Sequence, residues 1–187
     1  DAPQLGLQWE WNHNPRDDHW SLTDRPGWLR LKASVPVGKG SFWGACNTLS
    51  QRVMGTGKGE ATAKFDLTGM RAGQRAGFVR FGGDYHLLGV QVERNGVRRL
   101  FFDANGRITS GPMTEATTLY VRTTNDGDQA RFAWSTDGSK FHDFSATFTL
   151  KFGQWTGDRL GFFCWNDSEP QGYLDVDWFQ YSYDGPK

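Results

Sequence analysis

The sequence predicts an all-β fold, a jelly-roll sandwich of two antiparallel sheets with little helix. Three observations predict it. Apolar and polar residues alternate with a period of two along much of the chain, as they do on strands with one buried and one solvated face. Asn-Gly and Asp-Gly pairs, which supply the positive φ of tight hairpin turns, separate several of these runs. No segment carries the i, i+3, i+4, i+7 apolar spacing of a helix.

The strands are predicted in chain order wherever every second residue is apolar and its neighbours are polar. They are Trp28–Ala33, Ala61–Leu67, Gly77–Phe81, Leu87–Glu93, Leu119–Thr123, Ala130–Ser135, Leu160–Trp165 and Tyr173–Tyr183. Hairpin turns are predicted at Asn95-Gly96, Asn105-Gly106, Asp126-Gly127 and Asp137-Gly138. The segment Val35–Gly59 is irregular and rich in glycine, so we expect it to include a long loop before the strand near Glu60.

Length and charge exclude several classes of function. Residues 1–187 are expected to form a single sandwich domain, since domains usually hold about 100–200 residues. The 21 Lys and Arg balance 21 Asp and Glu, for a net charge of +0, so a nucleic-acid partner is not expected. No run of 18 apolar residues predicts a membrane span. The chain begins at Asp1 rather than Met, which suggests a mature or excised product.

Cysteine and histidine usage gives weak signals for cross-links and metals. Cys46 and Cys164 are expected either to form one bridge or to be small buried side chains, and burial is the simpler interpretation for Cys164 in its apolar strand. The cluster of His13, Asp17, Asp18 and His19 is more typical of a solvated turn than of a metal site. Loop carboxylates would allow a structural Ca²⁺ with unassigned ligands, and no cofactor is required.

Catalysis within this chain is not expected. Glycoside hydrolysis needs two carboxylates about 5–10 Å apart, and no two glutamates lie two or four residues apart. Asp175 and Asp177 share a strand face, but loop anchoring or ion binding is the more typical role for carboxylates on a terminal strand. No serine or cysteine nucleophile signature is visible.

Aromatic and amide residues are the remaining functional signal. The chain has 9 Trp and is 15% aromatic. Sugars offer apolar ring faces and hydroxyl edges, so a sugar site needs exposed aromatic planes with amide or charged side chains beside them. Such residues cluster in Trp9–Trp20, around Asn47, Gln51 and Arg52, and at Trp165-Asn166. The alternative is that most of these tryptophans are core residues, because alternation turns about half of them inward.

Three stretches resemble one known family. Residues 5–15 read LGLQWEWNHNP and lead into WSLTDRPGWLRL at 20–31. Residues 47–55 read NTLSQRVMG, and the C-terminal stretch comprises GDRLGFF at 157–163 and GYLDVDWF at 172–179. This closely resembles the C-terminal β-sandwich domain of glycoside hydrolase family 43 β-xylosidases and arabinofuranosidases, and within it the xylan-binding branch called carbohydrate-binding module family 91.

The resemblance implies a concanavalin-like sandwich that binds xylan, arabinoxylan or xylo-oligosaccharides and packs on a catalytic propeller in the same polypeptide. It also implies a secreted or cell-envelope location in bacterial-type degradation of plant polysaccharides, with a cytoplasmic one still open. In some relatives a Phe of the sandwich reaches the catalytic pocket near the position of Arg159. An Arg there departs from that pattern but would still be able to contact a sugar hydroxyl.

The first interpretation is therefore a non-catalytic xylan-binding module. The residues expected to bind the ligand are Trp11, Asn12, His13, Asn14, Trp20, Gln51, Arg52, Arg159 and Trp165. Two alternatives stay open at this point. One is a structural domain that only stabilises its catalytic neighbour, with the N-terminal motif buried as packing. The other is a stand-alone glycosidase using Asp177.

Overall fold

Strands make up nearly all the regular structure of this chain. A computed structural model describes residues 4–38, 42–55, 57–144, 146–153 and 157–185. Its strands are β1 (Glu10–Trp11), β2 (Trp20–Ser21), β3 (Leu29–Lys32), β4 (Leu49–Arg52), β5 (Lys58–Asp66), β6 (Gln74–Phe81), β7 (Tyr85–Val92), β8 (Arg98–Ala104), β9 (Arg107–Met113), β10 (Thr118–Asp126), β11 (Gln129–Ser135), β12 (His142–Asp143), β13 (Phe148–Thr149), β14 (Arg159–Asn166) and β15 (Tyr173–Tyr183). Short 3₁₀ turns occupy Asp17–His19 and Phe42–Gly44.

The described strands form two antiparallel sheets. The seven-stranded sheet has the order β1-β4-β14-β6-β7-β8-β9. The eight-stranded sheet has the order β12-β11-β10-β5-β15-β3-β2, and β13 pairs with β11. Consecutive neighbours such as β6 to β9 are joined by hairpins, whereas β14 and β15 return from the end of the chain to the middle of each sheet. This arrangement confirms the predicted β-sandwich.

Two clusters of apolar side chains pack against the sheets. The main core lies between them and takes residues from both, including Phe65, Phe78, Phe132 and Phe162. A second, smaller cluster covers the outer face of the seven-stranded sheet, where the segment around Phe42 packs over its strands. The outer face of the eight-stranded sheet has no such covering cluster among the described residues, and it carries charged and aromatic side chains instead.

All eight predicted strands occur, and each observed strand end lies within three residues of the predicted end. The Asn105-Gly106 turn joins β8 to β9 with φ of 52° and 88°, as a tight hairpin requires. Within the irregular stretch Val35–Gly59, the sequence analysis did not predict β4, which pairs with β14. Cys46 and Cys164 are both free thiols, and Cys164 is buried. None of the helices in the described part of the chain is long and apolar enough to cross a bilayer.

Candidate functional site

The N-terminal motif closes one edge of the sandwich. Strand β1 pairs with β4 at the edge of one sheet, and β2 pairs with β3 at the edge of the other. Trp11 of β1 and Trp20 of β2 face each other across this opening, with ring centroids 5.3 Å apart. Both indoles are partly buried against the main core. Their position is that of packing residues, which is the role that the alternative interpretation gave them.

Glu10 lies on the face of β1 opposite to Trp11, and its side chain contacts two of the predicted site residues. Its carboxylate pairs with Arg159 Nη1 at 2.6 Å and with Arg52 Nε at 3.2 Å. This follows from the register, since Glu10 is opposite Ser50 on β4, and Arg52 is opposite Arg159 on β14. Arg159 is only 10% exposed and Arg52 is 66% exposed. Glu10 therefore orients the exposed guanidinium of Arg52. The nearly buried Arg159 can affect a ligand only indirectly, by holding the Glu10 carboxylate in place.

An open groove of about 560 Å³, here called the edge groove, runs beside this cluster. Its lining includes Glu10, Gln51, Arg52, Phe179, Tyr181 and Tyr183. The rings of Tyr181 and Tyr183 lie 5.1 Å apart. The Tyr181 hydroxyl donates to the Met54 carbonyl at 2.8 Å and accepts from the Met54 amide at 3.0 Å. Burial raises the pKa of Tyr181, so this phenol stays protonated and latches β15 to the segment after β4.

The loop after β1 holds three more predicted residues. The Asn12 backbone amide donates to the Thr48 carbonyl at 2.9 Å, and His13 Nε2 donates to the Trp43 carbonyl at 2.9 Å. Asn14 is exposed in the same loop. Asn47 fixes the loop from the other side with two 2.9 Å hydrogen bonds to the backbone of Arg16. His13 thus lies beside Trp43, which is 42% exposed, and none of these loop residues is among those lining the edge groove.

Trp165 is not available to a ligand. Its side chain is 1% exposed, its ring packs 4.9 Å from that of Phe163, and its Nε1 donates to Asp167 at 2.9 Å. The expectation that Trp165 stacks on a sugar was therefore wrong. The reason is the second apolar cluster, which covers the outer face of β14 and turns this indole into a core residue.

The two aspartates of the terminal strand are held in ion pairs. Asp175 is buried and accepts a two-point contact from Arg30 at 2.7 and 2.8 Å, with Arg25 at 3.0 Å. Asp177 accepts from Lys64 at 2.7 Å. Both carboxylates are thus already engaged by basic side chains of this chain. Among the described residues, no three His, Cys, Asp or Glu side chains converge as metal ligands would.

A family model for the beta-xylosidase C-terminal concanavalin A-like domain matches residues 1–182. The chain belongs to this family.

Its similarity to known members is high and covers the whole domain. The chain is 54% identical to a beta-xylosidase of Formosa agariphila, an alignment covering 100% of this chain and 35% of that protein. Two solved structures are also similar: a bifunctional GH43-CE protein of Bacteroides eggerthii (27% identity, TM-score 0.86) and the GH43 protein BlXynB of Bacillus licheniformis (25% identity, TM-score 0.82). Each match covers 97% of this chain, but 24% and 38% of the respective solved chains. The chain thus spans about a third of the length of the Formosa agariphila protein.

In this beta-xylosidase C-terminal domain, the structure adds residues that sequence reasoning missed. Glu10 was overlooked although it stands between two tryptophans, and alternation already places it on the face opposite to them. Tyr181 and Tyr183 lie in a predicted strand, but the sequence did not reveal that this end of β15 is open. Among the described strands, β3 pairs only with Tyr173–Val176, so the side of β15 away from β5 is unpaired at Tyr181 and Tyr183. Of the nine predicted residues, Gln51 and Arg52 line the edge groove, and Arg159 joins them through Glu10.

Proposed function

We propose that this chain is a non-catalytic module that binds xylan or xylo-oligosaccharides for an attached family 43 glycoside hydrolase. The observation that carries the proposal is the edge groove, where tyrosine rings, the amide of Gln51 and the guanidinium of Arg52 line one open channel. The channel lies at the edge of a rigid sandwich, and family membership supplies the context of a xylan-degrading enzyme.

The groove has the chemistry that a neutral pyranose chain requires. Aromatic faces offer apolar surface to the C–H face of a sugar, while amide and guanidinium groups donate to its hydroxyls. Glu10 holds Arg52 from one side, so less side-chain entropy is lost when a ligand binds to it. The hydrogen bonds between the Tyr181 hydroxyl and the Met54 backbone likewise hold the Tyr181 ring in place before a ligand binds.

The wider setting is part of the same proposal. The chain covers 35% of a beta-xylosidase, so the remaining length of such a protein would carry the catalytic domain. A secreted or cell-envelope protein would meet its polysaccharide outside the cell. The ion pairs of Asp175 and Asp177 support a binding role for the module rather than hydrolysis by Asp177.

Affinity electrophoresis in gels with and without soluble xylan tests the proposal. We expect the chain to be retarded by xylan and Arg52→Ala to be retarded less, because the exposed guanidinium is lost. Arg131→Ala is the matched control, since this arginine is also exposed but lies on β11. Unchanged mobility of the original chain in xylan, together with no heat on titration with xylohexaose, would contradict xylan binding.

A second candidate is a structural role toward the catalytic domain, favoured by a separate apolar surface. Trp43 (42% exposed) and Phe152 (81% exposed) flank the β6–β7 turn. Trp43 contacts Tyr85 at 5.7 Å between ring centroids, and the segment of Phe152 reaches the turn through the hydrogen bond from Gly83 N–H to the Lys151 carbonyl. In the full-length enzyme, Phe152→Ser would then lower the melting temperature, whereas in the isolated chain it would not.

A further inference from the structure

A β-bulge in β15 changes which side chains reach the outer face of the eight-stranded sheet. Val176 is opposite Phe65 of β5, but Trp178 is opposite Lys64, so Asp177 is an extra residue. Beyond this point Phe179 and Tyr181 pack against the core. Trp178, Gln180 and Ser182 therefore alternate onto the outer face. Bulges often re-aim side chains beside functional sites, and here the bulge turns an indole outward.

The re-aimed Trp178 borders a cleft of about 410 Å³, here called the bulge cleft. Its lining includes Glu60, Thr62, Arg122, Phe141, Trp178 and Gln180. The Arg122 guanidinium lies over the Phe141 ring, 3.7 Å from its centroid. Arg122 Nε donates to Thr62 Oγ1 at 3.2 Å and lies 3.5 Å from Glu60. Trp178 is half-buried and leans on Tyr120, with ring centroids 5.9 Å apart.

The wall of the bulge cleft is built by a rigid turn. Gly138 lies against Tyr120 with a φ of +76°, and a Cβ there would come within 2.9 Å of the Tyr120 ring. The Asp137 carboxylate accepts from the backbone amides of Ser139 and Lys140 at 2.8 and 2.9 Å. This turn ends beside Phe141, so the ring is presented by a fixed loop rather than by a free one.

From this geometry we propose that the bulge cleft is a second glycan subsite, which takes a neutral β-linked xylo-oligosaccharide. The inference rests on the proposed function and adds a site on a different sheet from Arg52. Trp178 and Phe141 supply apolar ring surface, and Gln180 and Arg122 supply hydrogen bonds at the edges. The cleft volume falls within the usual range for small-molecule sites, about 300–1,000 Å³.

The charges in the bulge cleft favour an uncharged ligand. Glu60 lies beside Arg122, so the positive guanidinium is already balanced and the cleft has no net charge to attract a phosphate or carboxylate. Among the described residues, the hydrogen bonds and ion pair of Arg122 involve Nε, so its Nη groups can donate to ligand hydroxyls. A flat sugar chain satisfies both the rings and these donors.

Titration of the ¹⁵N-labelled chain with xylohexaose, followed through the tryptophan indole resonances, tests the subsite. The Trp178 indole signal is assigned from its disappearance in Trp178→Phe. We expect this signal to shift and saturate, and Gln180→Ala to weaken the affinity it reports by about three- to tenfold, as for a lost hydrogen bond. Gln171→Ala is the control, because this glutamine is also exposed but lies outside the cleft.

The possible results separate this inference from the function on which it rests. If amide resonances around Arg52 shift while the Trp178 indole does not, the chain binds sugar at the edge groove and the bulge cleft is not a subsite. If no resonance shifts at a millimolar excess of xylohexaose, both the subsite and the xylan-binding function are overturned. An equal loss of affinity in Gln180→Ala and Gln171→Ala would also count against the cleft.

Discussion

Arg80 and Asp158 form an ion pair inside the sandwich, with the Arg80 side chain 2% exposed and that of Asp158 7% exposed. Arg80 Nε donates to the carboxylate at 3.1 Å, and Nη1 donates to Asn125 of the opposite sheet at 3.0 Å. The pair thus links β6, the residue before β14, and β10. It leaves both charges paired and hydrogen-bonded, which is the condition under which buried ions are tolerated.

Removing one member of this pair should destabilise the fold strongly. Arg80→Met leaves a buried carboxylate without its cation, and we expect the free energy of unfolding to fall by about 3–5 kcal/mol. Urea unfolding measured by tryptophan fluorescence gives the value. The exposed pair of Arg131 and Asp143 provides the control, since Asp143→Asn should cost about 0.5 kcal/mol or less. A similarly small loss in Arg80→Met would mean that the interior pair is hydrated.

We expect Trp20 to stabilise the fold through the packing of its ring and not through a hydrogen bond from its indole N–H. Its Nε1 is buried without a hydrogen-bond partner among the described residues. Trp20→Ala opens a cavity against Trp11 and should cost about 2–4 kcal/mol, whereas Trp20→Phe also removes an unsatisfied donor and should cost less than about 1 kcal/mol. Thermal unfolding of both variants measures this. Comparable losses in the two variants would indicate that the indole N–H does bind a partner.

The sequence predicts the long strands of this fold because their two faces differ. It does not predict β8 and β9, for two distinct reasons. In β8, Phe101 packs in the outer cluster and Phe102 in the main core, so the strand is apolar on both faces and does not alternate. Strand β9 lies at the sheet edge, is exposed along most of its length and includes Gly111 and Pro112, which are rare in strands.

The candidate site is less accessible from the sequence, because it depends on contacts between distant segments. The burial of Trp165 follows from the segment around Phe42, more than 100 residues away, folding over β14. The outward turn of Trp178 follows from the extra residue Asp177, which a regular period of two does not reveal. By contrast, the pairing of Arg52 with Glu10 follows from strand register once β1 and β4 are known to be neighbours.

The two cysteines should differ in reactivity. Burial raises the pKa of the Cys164 thiol to about 12, whereas Cys46 is partly exposed. Because the thiolate is the reacting form, iodoacetamide at pH 8 should add one group to the native chain, at Cys46, and two to the unfolded chain. Peptide mass spectrometry identifies the sites. Modification of Cys164 in the native chain at the same rate as Cys46 would show that β14 opens readily.

His86 should make the stability of the domain depend on pH. Its ring stacks on Phe148, with centroids 4.1 Å apart, and burial lowers its pKa, helped by Lys151 and Arg80 and opposed by Asp84. A lowered pKa means that folding favours the neutral ring. The contribution of His86 to stability is therefore present above its pKa in the unfolded chain, about 6.5, and is lost as the pH falls through its pKa in the folded chain.

In His86→Phe, which keeps the stacking but cannot take up a proton, we expect the loss of stability between pH 7.5 and pH 5 to be smaller. Urea unfolding across that range measures the slope. Equal slopes in His86→Phe and the original chain would show that folding does not change the pKa of His86.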